Sequence, residues 1–372
     1  MLAASDPPMT PLDLKPLTAL RFAAAVWVVS FHYWPHLAGV GMPMVVSNGY
    51  LGVELFFVLS GFILSHVYLQ SFGEGRFRYG GFLWARIARV YPLHIAVLAG
   101  LGVLAVAATA AGMTLGTGLV NFAALPANIL LLHAWGVSPA AAWNHPSWSI
   151  SAEWFAYVSF PAFAWAAWRL KDRPSLAVIG VLILLFGLYT LFEALAGFPL
   201  TSATYKWGAL RIVPCFAYGA AIYLMWRAGT IATRTQAKFW SAAFAVLILA
   251  LAQVDAPDAA IVTACGGLIL ALAGLTSTGS SVLTGKVGVY LGEISYAVYM
   301  CCFPWLLVFG KAMEKLGYGP TLPPVLWGVL FVGVVPVAIV AHHLVERPAR
   351  TLLRRWADLK FPLSLRPVTR PA

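Results

Sequence analysis

The sequence predicts an all-α protein, a polytopic transmembrane helical bundle of about ten spans. Three observations carry this. Hydrophobic residues make up 61% of the 372 residues and charged residues only 10%, whereas a soluble domain is nearer a quarter charged. Apolar runs of about 20 residues, the length that crosses a bilayer as a helix, recur along the whole chain. The basic residues gather in alternate connections between those runs, as the Lys and Arg of cytoplasmic loops do. A mean hydropathy of +0.82 excludes disorder, coiled coil and a disulfide-stapled secreted scaffold. No stretch between the runs is long enough to hold a second, soluble core.

Spans are expected near 18–38, 48–70, 82–110, 149–168, 175–197, 206–226, 238–254, 258–276, 286–310 and 325–345. A shorter apolar piece at 121–134 is expected to be a re-entrant or buried helix. The positive-inside rule decides this. With the N-terminus inside and 121–134 not crossing, only Lys206, Lys311 and Lys315 of the 24 basic residues fall outside, and Arg21 and Arg211 lie within spans. Counting 121–134 as a crossing puts Arg169, Lys171, Arg173 and every later basic loop on the wrong side. Both termini are therefore expected in the cytoplasm. Residues 1–15 form a short cytoplasmic tail, 16–350 the transmembrane domain, and 351–372 a basic cytoplasmic tail. Asp6, Asp13, Lys15 and several prolines precede the first run without a cleavage signal, so that run reads as an uncleaved anchor. No internal repeat supports a transporter built from two similar halves.

The net charge of +11 fits contact with anionic inner-leaflet lipid. Nucleic-acid binding is not expected, because no basic patch sits on a soluble fold. Cys215, Cys265, Cys301 and Cys302 all lie inside apolar runs and read as small packing residues. Their spacing matches no metal site, and no metal is expected.

Ionisable side chains inside spans are costly and point to function. Arg21 and His32 of the first span are 11 residues apart, which puts them on nearly one face and about 16 Å apart along the axis. Arg21 then lies toward the cytoplasm, where it either snorkels to headgroups or guides an anionic ligand. His32 lies in the outer half. Glu54 enters the second span at the same depth and can orient that imidazole or clamp two helices. Gly52, Ser60 and Gly61 read as close-packing residues. Arg86 and Arg89, at i and i+3, can grip a phosphate at the cytoplasmic mouth of the third span. The next region, NHPSWSISAEWFAYV, is unusually polar. His145, Ser149, Glu153 and Tyr157 enter the membrane there from the outer side, with Ser149 and Glu153 at i and i+4 on one face. Arg211 can pair with Glu54 or Glu153. Glu293, Ser295, Tyr296, Tyr299, His342, His343, Glu346 and Arg347 read as helix-end polarity.

Taken in order, these motifs resemble the acyltransferase 3 family of bacterial integral membrane acyltransferases. The resemblance rests on Arg-x10-His (Arg21, His32) and LGVELFFVLSGF (51–62). It continues in Arg-x-x-Arg followed by Tyr91-Pro92, WSISAEW (148–154), G-x-x-SY-x-x-Y (Gly292 to Tyr299) and the terminal ERP (346–348). Where the family often has a histidine after SYxxY, this chain has Cys302 nearby. It looks like the stand-alone form, without an SGNH domain.

The resemblance implies O-acyl transfer from an acyl-CoA, commonly acetyl-CoA, to a hydroxyl of an envelope or secreted glycan. The setting is the bacterial inner membrane, and acyl-CoA is a co-substrate with no tightly bound cofactor. Acyl-CoA, a carbohydrate acceptor and membrane lipid are then the expected partners; the oligomeric state is left open. The residues fit that chemistry. Arg86 and Arg89 suit the phosphates, and Arg21 guides the head or arm inward. His32 serves as general base or as transient acyl carrier. Glu54 or Glu153 orients it or balances its charge. His145, Ser149, Tyr157 and Arg211 are the candidate lining of the acceptor pocket. The rival reading is a transporter or flippase for a glycan or glycolipid, in which the same polar residues line a path without covalent chemistry.

Overall fold

The computed structural model describes residues 14–112, 119–277 and 285–360. Most of the expected N-terminal tail and the end of the C-terminal tail lie outside these residues. The described chain is helical throughout, and its one strand-like pairing is an isolated parallel bridge between Leu37 and Leu322.

The helices in order are α1 (Lys15–Tyr33), α2 (Met44–Ser47), α3 (Gly52–Gly73), α4 (Tyr79–Ala110), α5 (Leu125–Ile129), α6 (Ser147–Val158) and α7 (Phe160–Arg169). They continue as α8 (Pro174–Ala196), α9 (Gly208–Arg227), α10 (Arg234–Gln253), α11 (Asp258–Ser277), α12 (Lys286–Lys315), α13 (Pro324–Ala341) and α14 (Arg347–Lys360). Local chemistry sets several ends. Pro174 and Pro324 open α8 and α13 at a position where no backbone N–H is needed. Thr233 and Gln236 close a capping box on α10. Gly197 ends α8 in the left-handed conformation.

Eight of the described helical segments are long and apolar enough to cross a membrane. The other two expected spans are helical but differ in kind. In α1, Arg21 and His32 hold the apolar character below that of the eight. The span expected at 149–168 is broken at Ser159 into α6 and α7. Pro161 has no N–H for the ladder there, and the Tyr79 hydroxyl donates to the Val158 carbonyl at 2.7 Å.

The piece at 121–134 does not cross. The Trp143 N–H donates to the Leu119 carbonyl at 2.7 Å, and its indole donates to Asn121 at 2.9 Å. The segment thus leaves and returns at one end of the bundle. Between those points, α5 dips along α4 until Asn128 and Ile129 meet His94 and Tyr91. Trp143 lies beside Gly102 of α4, so the dip descends roughly 10–15 Å. Leu131 and Trp143, at its two bends, are the non-glycine residues there with left-handed backbone, φ 55° and 64°.

Burial sorts the helices. The spans containing α3, α9 and α11 are 72–78% buried, whereas those containing α4, α8, α10 and α13 are 17–22% buried. The outer helices present apolar side chains such as Ile183 and Leu195 of α8 to the surroundings, as lipid-facing helices do. At the centre, α3 and α9 touch backbone to backbone. A Cβ on Gly61 collides with the Phe216 carbonyl, and one on Gly219 with the Val58 carbonyl. Gly52 likewise lies against the Ala24 carbonyl of α1. Glycine permits these close crossings.

Candidate active site

A cavity of about 210 Å³ lies between α1, α3, α4, α6 and α12. Six of the residues expected at the site line it: Arg21, Arg86, Arg89, Ser149, Glu153 and Tyr157. One end is cationic. The Arg86 guanidinium sits 5.8 Å from the Tyr157 ring centroid and 5.9 Å from that of Tyr68. Arg89 lies 5.5 Å from the Tyr296 ring and is ion-paired with Glu346, which is 1% exposed. The second oxygen of Glu346 is 2.9 Å from Nδ1 of His342. A turn of π-helix over His342–Glu346 brings both side chains inward.

Deeper in, Glu153 projects from α6, and the Ser60 hydroxyl of α3 donates to its Oε1 at 2.7 Å. Ser60 is therefore a polar partner, while its neighbour Gly61 is the packing residue. At the far end, the hydroxyls of Ser149 and Tyr299 are 2.8 Å apart and both reach the Pro146 carbonyl.

The motif SWSISAE works as a ladder of separate contacts. Ser147 meets Nε2 of His133 at 3.0 Å. Ser149 meets Tyr299. Ser151 donates to the Leu131 carbonyl at 2.7 Å and accepts the Ala134 N–H at 3.0 Å. Glu153 meets Ser60. The one helix thus ties down the dipping segment at two points and lines the cavity at two others.

Four expected site residues lie outside the cavity lining. His32 and His145 face each other, with ring centroids 6.4 Å apart, beyond the Ser149–Tyr299 pair. His145 adjoins Pro146, the carbonyl that both hydroxyls approach. Glu54 and Arg211 form a buried ion pair, 0% and 2% exposed. Arg211 also donates to the Ala203 carbonyl at 2.9 Å and stands 4.6 Å from the Trp148 ring centroid. Of the two partners the sequence offered Arg211, the structure pairs it with Glu54. His32 makes no side-chain hydrogen bond to a described residue, so neither Glu54 nor Glu153 orients it directly.

Three residues that sequence reasoning passed over belong to this region. From His145 a row of rings runs through Tyr205 (5.8 Å) and His133 (5.8 Å) to His94 (6.2 Å). His94 is 1% exposed and His133 is fully buried. The sequence signal was present: His94 and His133 are polar residues within apolar stretches, two and three residues from Pro92 and Leu130.

The arrangement thus provides a cationic mouth, a cavity with one carboxylate, and a pair of histidines past its inner end. The family model described as an acyltransferase domain matches residues 15–343. Acyltransferase MdmB of Streptomyces mycarofaciens is 29% identical over 376 residues, spanning 92% of this chain and 93% of that protein. Protein 2 in the picA locus of Rhizobium radiobacter is 41% identical over 83 residues, spanning 22% of this chain and 41% of that protein. No solved structure matches the chain. The order of motifs, the helical membrane fold and the family match together show that the chain belongs to the acyltransferase 3 family.

Proposed function

We propose that this membrane acyltransferase takes its acyl group from acyl-CoA, acetyl-CoA being the first donor to test, and passes it to a hydroxyl of an envelope or secreted glycan. The observation that carries this reading is the cavity with Arg21, Arg86 and Arg89 together at one end. Guanidinium groups suit phosphate. The helical wall leading inward suits a long, thin pantetheine arm. Arg21 and His32 are about 16 Å apart along α1, so an arm held at the mouth carries its thioester toward the histidines.

In the proposed reaction the acceptor oxygen attacks the thioester carbonyl. The carbon–sulfur bond breaks, and the thiolate takes up a proton and leaves as the free thiol. His32 either removes the hydroxyl proton or first accepts the acyl group on its ring nitrogen. His145, facing it, is the group able to receive or return that proton. Ser149, Tyr299 and Tyr157 are hydroxyl donors for the acceptor or the developing oxyanion. Glu153 balances the arginines. Glu54 and Arg211 hold the wall behind Trp148. The basic end faces the cytoplasm of a bacterial inner membrane, where acyl-CoA is available.

The test is thiol release by the purified protein given acetyl-CoA and extracted envelope glycan. Wild type releases thiol and His32→Ala releases 10²–10⁴-fold less, the range for a general base. Release that His32→Ala leaves intact removes His32 from the reaction. Silence from wild type across acyl donors and glycans favours the transporter reading.

A further inference from the structure

The arginines of the mouth are not all on α4. After the π turn, α14 runs back along α4 in the opposite direction. Glu346 meets Arg89 at one level, and the Leu353 carbonyl accepts from the Trp84 indole at 2.8 Å at another. Trp84 and Trp356 add a ring contact, centroids 4.4 Å apart. Arg350 lies between these two levels, beside the stretch of α4 that carries Arg86 and Arg89.

Arg350 is half-buried. Among the charged groups near it are Arg89 on α4, Arg21 on α1, and Arg354 and Glu346 on its own segment. Three of these four repel it. The carboxylate among them, Glu346, is already shared by Arg89 and His342. Like charges held together at a half-buried place repel one another unless an anion joins them. Arg350 makes no hydrogen bond or ion pair with a described residue. Unlike Arg86 and Arg89, it does not line the cavity; it lies on α14 near Arg21 and Arg89, at the cavity's cationic end.

A coenzyme A donor presents its phosphates in a fixed order. The pantetheine arm leads, the diphosphate follows, and the phosphate on the ribose 3′ oxygen is outermost. Threaded arm-first past Arg86 and Arg89, such a molecule brings its last phosphate to that end. We infer that Arg350, with Arg354 one turn on, binds the 3′-phosphate of the donor nucleotide, so that α14 forms the outer wall of the donor site. This rests on the donor reading above. The shared chemistry is a phosphate ester, which an anionic lipid headgroup also offers, and the experiment separates the two.

The full chain in nanodiscs is titrated with coenzyme A and with dephospho-coenzyme A, which lacks only the 3′-phosphate. Wild type, Arg350→Ala and Arg354→Ala are compared in discs of zwitterionic lipid and in discs containing anionic lipid. Wild type is expected to bind coenzyme A about tenfold more tightly, one charge-assisted contact. In Arg350→Ala the ratio falls toward one. The preference persists in zwitterionic discs. Equal binding of the two ligands by wild type overturns the inference, as does an unchanged ratio in Arg350→Ala. An Arg350 effect confined to anionic discs overturns it in favour of lipid. Should Arg350→Ala fail to fold, Arg354→Ala, an exposed position, carries the same comparison. Thiol release is scored separately. A preserved phosphate preference without release refutes the proposed reaction and leaves the phosphate site standing.

Discussion

Glu54 on α3 and Arg211 on α9 form an ion pair from which water is shut out, with Arg211 also held against Trp148 and the Ala203 carbonyl. Breaking such a pair leaves an uncompensated buried charge, which costs about 3–5 kcal/mol. Glu54→Ala and Arg211→Ala are each expected to lower the thermal unfolding temperature in detergent. The double variant Glu54→Leu/Arg211→Met, which removes both charges, recovers most of the loss. Single variants that unfold like wild type but fail to turn over would move the pair into the chemistry.

Arg86 and Arg89 reach the same cavity end from one face of α4, one resting on aromatic rings and the other paired with Glu346. Their joint replacement by alanine is expected to raise KM for acetyl-CoA about 10–100-fold, with a smaller change in kcat. Wild-type KM rises with added salt, and the variant responds less. Steady-state kinetics at two ionic strengths measure both. A kcat loss at constant KM would place the pair at the reacting centre instead.

The α3–α9 crossing is built on Gly61 and Gly219, each facing a carbonyl of the other helix. Backbone cannot move aside as a side-chain tip can. Gly61→Ala and Gly219→Ala are each expected to cost at least about 1–3 kcal/mol, the usual range for overpacking. Yield of monodisperse protein and unfolding temperature report this, with Gly180→Ala, whose Cβ meets nothing within 4 Å, as control.

Much of this architecture was legible in the residues. The positive-inside pattern required that 121–134 not cross, and the hydrogen bonds joining Trp143 to Leu119 and Asn121 close that segment on itself. Arg21, Arg86, Arg89, Ser149, Glu153 and Tyr157 share a cavity because helical spacing and span direction fix both face and depth. What periodicity cannot convey is partnership between distant helices. Glu346 read as helix-end polarity, since nothing local distinguishes a terminal carboxylate from one paired with Arg89 257 positions away. Tyr299 read the same way, and its contact with Ser149 bridges 150 positions. The break at Ser159 was hidden because FPAFAWAAW continues the apolar run, and hydropathy does not register a missing N–H.

The Arg89–Glu346 pair also bears on where the working unit ends. The family match stops at residue 343, three residues short of Glu346. A polypeptide trimmed to that limit keeps the apolar spans yet strands Arg89 without its carboxylate and loses the tryptophan contact that seats α14. Truncation at a homology boundary therefore removes the partner of a cavity-lining arginine, and a reporter protein belongs beyond Lys360, where it leaves the helix packed on α4 intact.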